Sequence, residues 1–390
     1  MHRPRVLALI LAGGAGSRLE LLTDQRAKPS LPFAGTYRLI DIPLSNLMHS
    51  GLSDVWIVEQ YRLHSLNDHL ASGRPWDLDR TYGGLRVLPP YQGAAGEGFA
   101  AGNADALYRQ LPLIKAFAPE LVLVLSADHV YTFDYGDLIE QHLEHAAALT
   151  MLVTEVTVDD AKRAGVVEIS GARVTGFAYK PEQPETNLVT AEVFLYDAKV
   201  LAETLESLAL EQELKDYGDT LIPQLVAQGD VYAHRLGGYW RDVGTVESYW
   251  EAHIDLLGGK SIAFDDPSWS ILTASPQRLP ARIGRGASVV DSLVAPGCTV
   301  DGSVVNSVLG PGVVVETGAA VTDSVLLDGV EVKQGAKVTR TILDTGAVIE
   351  KGAQVGAADG DLTLVGMGAT VRAGEQVAAG SRVGGQDETA

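Results

Sequence analysis

Val6-Leu7-Ala8-Leu9-Ile10-Leu11-Ala12 runs without a break into Gly13-Gly14-Ala15-Gly16-Ser17-Arg18. A short continuous apolar run that ends in glycines reads as a buried strand opening into a loop. Glycines there let backbone N–H groups approach phosphate oxygens, and a helix start behind them adds a favourable dipole. The loop is not a Walker loop, because no Gly-Lys-Ser/Thr follows, and a bare glycine loop is shared by many dinucleotide and phosphate sites. His2, Arg3 and Arg5 give the run a superficial likeness to a secretion signal. It is at the short limit of such segments, roughly 7–15 residues, and passes straight into glycine, so a first strand is the better reading.

Outward from this stretch, short apolar runs alternate with helical patterns up to about residue 258. Val55–Val58, Leu121–Leu125 and Leu149–Val153 read as further buried strands. Ala104–Phe117 and Tyr135–Ala147 read as amphipathic helices between them. That alternation predicts βαβ units and a mostly parallel, Rossmann-like α/β sheet. Val166–Ile169, Val174–Phe177 and Val193–Tyr196 are less regular and suggest strands added in the second part of this domain.

After residue 280 the pattern changes. Gly312, Gly329 and Gly346 stand 17 apart, as do Gly318, Gly335 and Gly352, and no aromatic residue remains. Apolar positions recur about every six residues, from Val332 to Val338 and Ile349 to Val355, then at Val365, Val371, Val377 and Val383. Such hexads mark a parallel β-helix, with small apolar residues inside each turn and glycine at the corners. A solvated tether would not carry so many periodic valines. The expected division is therefore an α/β domain over 1–258, a crossover over 259–280 and a β-helix over 281–390.

Composition narrows the partners. The length of 390 residues fits two or three domains at roughly 100–200 each. Thirty Lys+Arg against fifty Asp+Glu give a net charge of −20, which argues against nucleic acid and anionic membranes. No apolar run approaches the roughly 20 residues of a membrane span. Cys298 is the sole cysteine, which excludes an intrachain disulfide and fits a reducing cytoplasm.

The glycine loop, together with Arg26-Ala27-Lys28-Pro29, Arg38-Leu39-Ile40-Asp41, Leu44-Ser45-Asn46 and Gln60-Tyr61, resembles the glucose-1-phosphate adenylyltransferase family. So do Ala104-Asp105-Ala106, Ala127-Asp128-His129-Val130-Tyr131 and Tyr239-Trp240-Arg241-Asp242-Val243-Gly244-Thr245. The motifs follow one another in order through the first half, and that family's left-handed β-helix matches the second. The resemblance implies that a sugar 1-phosphate attacks the α-phosphorus of a nucleoside triphosphate and releases pyrophosphate. Arg18, Lys28 and Asp128 would be catalytic, with Arg18 and Lys28 clamping the triphosphate. Asp128 and Asp242 would hold Mg²⁺, for which hard carboxylate oxygens are suitable ligands. Leu11, Ala12, Gly13, Gly14, Gln60, Tyr91, Gln92, Gly102, Ala104 and Asp105 would bind the nucleotide. Tyr179, Lys180, Glu192 and Asp242 would bind the acceptor, with Lys180 on its phosphate. His129 reads as structural or supporting rather than as a metal ligand. A homodimer or homotetramer is the family expectation. Gln25 stands where many relatives carry a cation, so inherited effector control is in doubt.

Several substrate-reading positions depart from the family pattern. Glu-Lys-Pro becomes Tyr179-Lys180-Pro181, and Ser-Met-Gly becomes Thr190-Ala191-Glu192. In the base loop Tyr91 replaces a glutamine, Gly-Thr-Ala-Asp becomes Gly102-Asn103-Ala104-Asp105, and an aromatic pair becomes Phe99-Ala100. One reading is altered specificity, in which losing a glutamate that reads hydroxyls disfavours glucose. Relatives that join valienol 1-phosphate to GTP in aminocyclitol antibiotic pathways set that expectation, with GTP slightly favoured. The alternatives are an unusual ADP-glucose enzyme and a noncatalytic regulatory paralogue. Glu192 either supplies a replacement carboxylate or points to solvent. Acyl transfer, another use of hexapeptide coils, generally needs a histidine base, and the last histidine is His253, before the coil.

Overall fold

The structure is a computed structural model, and it describes residues 4–14, 16–90, 98–274 and 277–384. Tyr91 and Gln92 lie outside the described residues. Apart from a short pair, Pro32–Phe33 with Tyr37–Arg38, the strands of the first half are β1 (Val6–Ala12), β2 (Asp54–Glu59), β3 (Gly84–Leu88), β4 (Leu121–Ser126), β5 (His129–Tyr131) and β6 (Leu149–Glu155). They continue with β7 (Gly165–Ser170), β8 (Arg173–Tyr179), β9 (Leu188–Asp197), β10 (Val231–Arg235) and β11 (Trp240–Asp242). Nine of them form one sheet in the order β3-β2-β1-β4-β9-β6-β10-β8-β7, and β11 pairs separately with β5.

β3, β2, β1 and β4 are mutually parallel, as expected. The other half keeps the sheet mostly parallel, with seven of its nine strands pointing one way, but reverses two of them. β9 runs antiparallel to both of its neighbours, β4 and β6, and β8 runs antiparallel to β7 and β10. Strand direction depends on how the connection returns, which apolar periodicity does not encode.

Both faces are covered, which is why the central strands are apolar at nearly every position. Leu7, Leu9, Trp56 and Phe194 pack against α2 (Asn103–Phe117) and α4 (Ala198–Glu211). Ala8, Ile10, Val55 and Ile57 pack against α1 (Leu63–Leu70) and α3 (Tyr135–His145). α3 stops short of the expected Ala147 because Ala146 adopts a left-handed φ of 45°. α5 (Val246–Leu257) closes the domain, and the irregular segment after it is pinned back on it. There Trp269 Nε1 donates to Asn46 Oδ1 at 2.8 Å, and Trp76 Nε1 donates to the Leu272 carbonyl at 3.1 Å.

The second half is the expected left-handed parallel β-helix, with three sheets of six short parallel strands. The hexad residues stack in columns. Val300, Val315, Val332, Ile349 and Val371 lie in one sheet, and Val304, Val321, Val338, Val355 and Val377 in another. The coil joins the first domain through a shared apolar cluster of Val325, Leu327, Ile342 and Leu364 against Leu19, Phe33, Val243 and Tyr249.

Candidate active site

A cleft of about 390 Å³ opens at the carboxyl ends of β1 and β4, where α/β sheets place their sites. Its walls bring together most of the residues expected there: Leu11, Ala12, Gly13, Gly14, Arg18, Lys28, Gln60, Gly102, Asp128, Tyr179, Lys180 and Glu192. Gly14 faces open space, with no heavy atom of the described residues, its own chain neighbours aside, within 4 Å of where a Cβ would sit, so an anion could approach the backbone there. Asp242 lines an adjoining cleft that shares Arg18 and Gly244 with the first.

The charged centre is compact. Lys28 is buried, and its ammonium is ion-paired with Asp128 and lies 3.8 Å from Asp242 Oδ1. Burial pulls the Lys28 pKa down, but the two carboxylates outweigh it and the net shift is upward. Burial likewise raises Asp128, and the Lys28 ammonium, His129 and the Ser126 hydroxyl together hold it well below the usual carboxylate range. Lys28 therefore stays charged and Asp128 ionised at neutral pH.

His129 is buried among the carboxylates of the cleft. Its Nδ1 bonds the Ala191 carbonyl at 3.1 Å, while Nε2 lies 3.7–3.9 Å from Asp128, Asp242 and Glu192. Burial lowers its pKa, but the three carboxylates prevail and raise it.

On another wall of the cleft, Tyr179 stands on β8 with its hydroxyl donating to Asp216 Oδ2 at 3.1 Å. Burial, followed by Asp216 and Glu192, raises its pKa, so the phenol keeps its proton. Gly218 makes room for the ring, since a Cβ there would lie 2.2 Å from Tyr179 Cδ2. Lys180 Nζ sits 4.3 Å above the ring centre. Glu192 lines the cleft with its side chain 34% exposed and interacts with the Tyr217 hydroxyl. Burial, with Asp128 and Asp242 adding to it, raises the Glu192 pKa.

Ala104 and Asp105 do not line the cleft. Ala104 is buried in the first turn of α2, and Asp105 Oδ2 accepts from Ala101 N at 2.8 Å and Arg109 Nε at 3.0 Å. They brace the loop that presents Gly102, whose backbone lies so close to the Lys215 carbonyl that a Cβ would sit 2.5 Å from the oxygen.

The segment Lys215-Asp216-Tyr217-Gly218 escaped the sequence reading altogether. Lys215 O accepts from Ala104 N at 2.9 Å, and Asp216 Oδ1 accepts from Asn103 N at 3.2 Å, which ties it to the loop that presents Gly102. An Asp-Tyr-Gly cluster between two helices was the available signal, but turn chemistry accounts for it equally well.

Asp128, His129 and Asp242 place one ligand atom each within 4.8 Å of one another. The set fits a divalent ion, and the two carboxylates suit a hard one. The Lys28 ammonium already lies among the carboxylate charges that such an ion would neutralise.

A glycine-loop α/β domain, a cation and two carboxylates at the strand ends, and a hexapeptide coil behind them define a sugar-1-phosphate nucleotidyltransferase. Residues 7–258 match the nucleotidyl transferase family, and residues 276–362 match the GlmU-like C-terminal hexapeptide family. A glucose-1-phosphate adenylyltransferase of Clostridium novyi (strain NT) is 40% identical over 325 residues, covering 82% of this chain and 85% of that protein. One from Thermotoga sp. (strain RQ2) is 41% identical over 321 residues, covering 81% of this chain and 76% of that protein. The chain belongs to the glucose-1-phosphate adenylyltransferase family.

Proposed function

We propose that this enzyme joins a nucleoside triphosphate, GTP ahead of ATP, to the 1-phosphate of a ring polyol other than glucose, with valienol 1-phosphate the favoured acceptor. The observation that carries the acceptor reading is the Tyr179 ring, fixed by Asp216 and Gly218 in the wall of the cleft. A flat apolar face with one hydroxyl suits the carbon-rich edge of a carbocycle better than the hydroxyls of glucose. Glu192, held beside it, restores a carboxylate from a new direction. The base preference rests on Tyr91 in the sequence.

The chemistry asks for alignment and charge neutralisation rather than a protein nucleophile. An oxygen of the acceptor phosphate attacks the α-phosphorus, and the bond to the bridging oxygen breaks as pyrophosphate leaves. In this reading Arg18 and Lys28 hold the triphosphate, Gly13 and Gly14 admit it to the backbone, and Lys180 anchors the acceptor phosphate. Asp128 and Asp242 would hold Mg²⁺, which neutralises charge on the phosphate oxygens when bound.

A second reading is favoured by the names of the Clostridium novyi and Thermotoga relatives, both glucose-1-phosphate adenylyltransferases: ATP and glucose 1-phosphate. Measuring kcat/KM for valienol and glucose 1-phosphates with each of ATP and GTP decides between them. Glucose 1-phosphate is expected to be poorer by at least roughly tenfold, or about 1.4 kcal/mol. Efficient turnover of glucose 1-phosphate with valienol 1-phosphate inert would sink the proposal. The reading extends to a cytoplasmic homodimer or homotetramer with a domain division near 258 and 281. Exposed Leu279, Ile283, Val290 and Leu293 around the first coil support self-association.

A further inference from the structure

We infer that Asp344, in the β-helix, positions Lys28 through Arg26, so that the coil sets the geometry of the triphosphate clamp. The inference rests on the role given to Lys28 above. Arg26 does not face the cleft. Its Nη2 donates across the domain junction to Asp344 Oδ1 at 2.5 Å, with the two side chains 6% and 0% exposed. Asp344 is in turn fixed to its own coil, because Oδ1 also accepts from Thr345 N at 2.6 Å. Its Oδ2 is buried and has no partner among the described residues.

A buried ion pair with an unsatisfied oxygen is a poor adhesive, since apolar residues of similar size join surfaces as well or better. The same junction already has that kind of adhesion, from Val325, Leu327 and Ile342 against Leu19, Phe33 and Tyr249. What a guanidinium–carboxylate pair adds is direction. It fixes the chain two residues before Lys28. Ala27, between Arg26 and Lys28, donates its N–H to Ser65 Oγ at 3.0 Å, and beyond Lys28 the Ser30 hydroxyl donates to the same Ser65 Oγ at 3.0 Å. Lys28 therefore stands on a short arc with one anchor in the catalytic domain and one in the coil.

The test compares R26Q, D344N and the R26Q/D344N double variant with W250F. The last removes the hydrogen bond from Trp250 Nε1 to Asp323 O, a junction contact made from α5 rather than from the Lys28 loop. Readouts are KM for whichever of GTP and ATP is turned over, KM for the acceptor, inhibition by magnesium pyrophosphate, and Tm. R26Q and D344N are expected to weaken nucleotide and pyrophosphate binding about tenfold, the scale of a sub-ångström misplacement, with acceptor KM unchanged. The double variant should match the single ones rather than multiply them, and W250F should move only Tm. A single variant leaves one buried charge unpaired and can fail to fold, whereas the double leaves none, so it keeps the question answerable. A folded double variant with unaltered nucleotide KM and pyrophosphate inhibition would overturn the inference, as would equal rises in both substrates' KM. Separately, K28Q with undiminished nucleotide and pyrophosphate affinity would remove the role of Lys28 itself, whatever Asp344 does.

Discussion

Asp128 answers to three neighbours at once: Lys28, His129 and Ser126 all stabilise its ionised form. Replacing it with asparagine keeps the shape and removes the charge. D128N should lower kcat by roughly 10²–10³-fold while leaving the circular dichroism spectrum unchanged, since preorganised charge is worth that much in such sites. Undiminished turnover would take Asp128 out of the mechanism. Gly14 is a subtler case, because nothing among the described residues opposes a methyl group there. G14A should therefore shift stability by no more than about 0.5 kcal/mol yet raise the nucleotide KM, as the methyl meets incoming phosphate. Titrations with ATP and GTP beside a urea melt separate the two effects. Tyr179 was legible as a departure from the family pattern, but its consequences were not. The sequence shows a tyrosine before Lys180; only the fold brings Asp216 and Gly218, some 40 residues on, against that ring.

Elements carry the site as much as residues do. Thr245 caps α5 by accepting from Ser248 N at 3.1 Å, and Ser248 Oγ returns the bond to Thr245 N at 3.0 Å. This box stands just after Gly244, so the turn from β11 into α5 fixes both Asp242 and the helix that meets the coil. T245A should cost about 1 kcal/mol of stability, read from the midpoint of urea unfolding. A variant as stable as the parent would show that the capping box contributes nothing here. Strand positions were readable because apolar runs mark burial wherever they occur. Strand direction was not, and β9 shows why. Its central Val193–Tyr196 run would suit either orientation, and the pairing of Val193 with Leu125 in an antiparallel register follows from the path of the preceding chain.

Across the whole molecule, two buried histidines tie stability to pH. His142 bonds Thr150 Oγ1 at 2.9 Å, and His253 bonds the Tyr249 carbonyl at 2.8 Å. Burial brings each pKa down from 6.5 to about 4. The unfolded chain takes up protons near 6.5, while the folded one resists until about 4, so the unfolded state holds more protons in between. The share of stability due to these two rings must then fall as pH drops through that window, by up to about 3 kcal/mol for each, while carboxyls raised by burial such as Glu192 work the other way. Urea midpoints measured from pH 7 to 4 should decline, and H142N should flatten the decline by its share. An H142N midpoint that declines as steeply as the parent's would contradict the burial of the His142 ring. Asp128 acts in a lower window. Its depressed pKa contributes stability that is lost only as pH falls below the usual carboxylate range.

The sequence by itself determined the two architectures, the reaction class and the charged core of the site. Each of these is written locally, in a hexad, a strand-to-glycine run, or a carboxylate next to a strand end. It did not determine which two strands reverse, the packing of Asp216 against Tyr179, the place of His129 among three carboxylates, or the Arg26–Asp344 link. Those depend on which distant segments meet. Arg26 and Asp344 stand 318 residues apart and pair in a buried junction. No periodicity or local motif marks such a pair, because its physical basis, the desolvation of both charges together, exists only once the coil has docked.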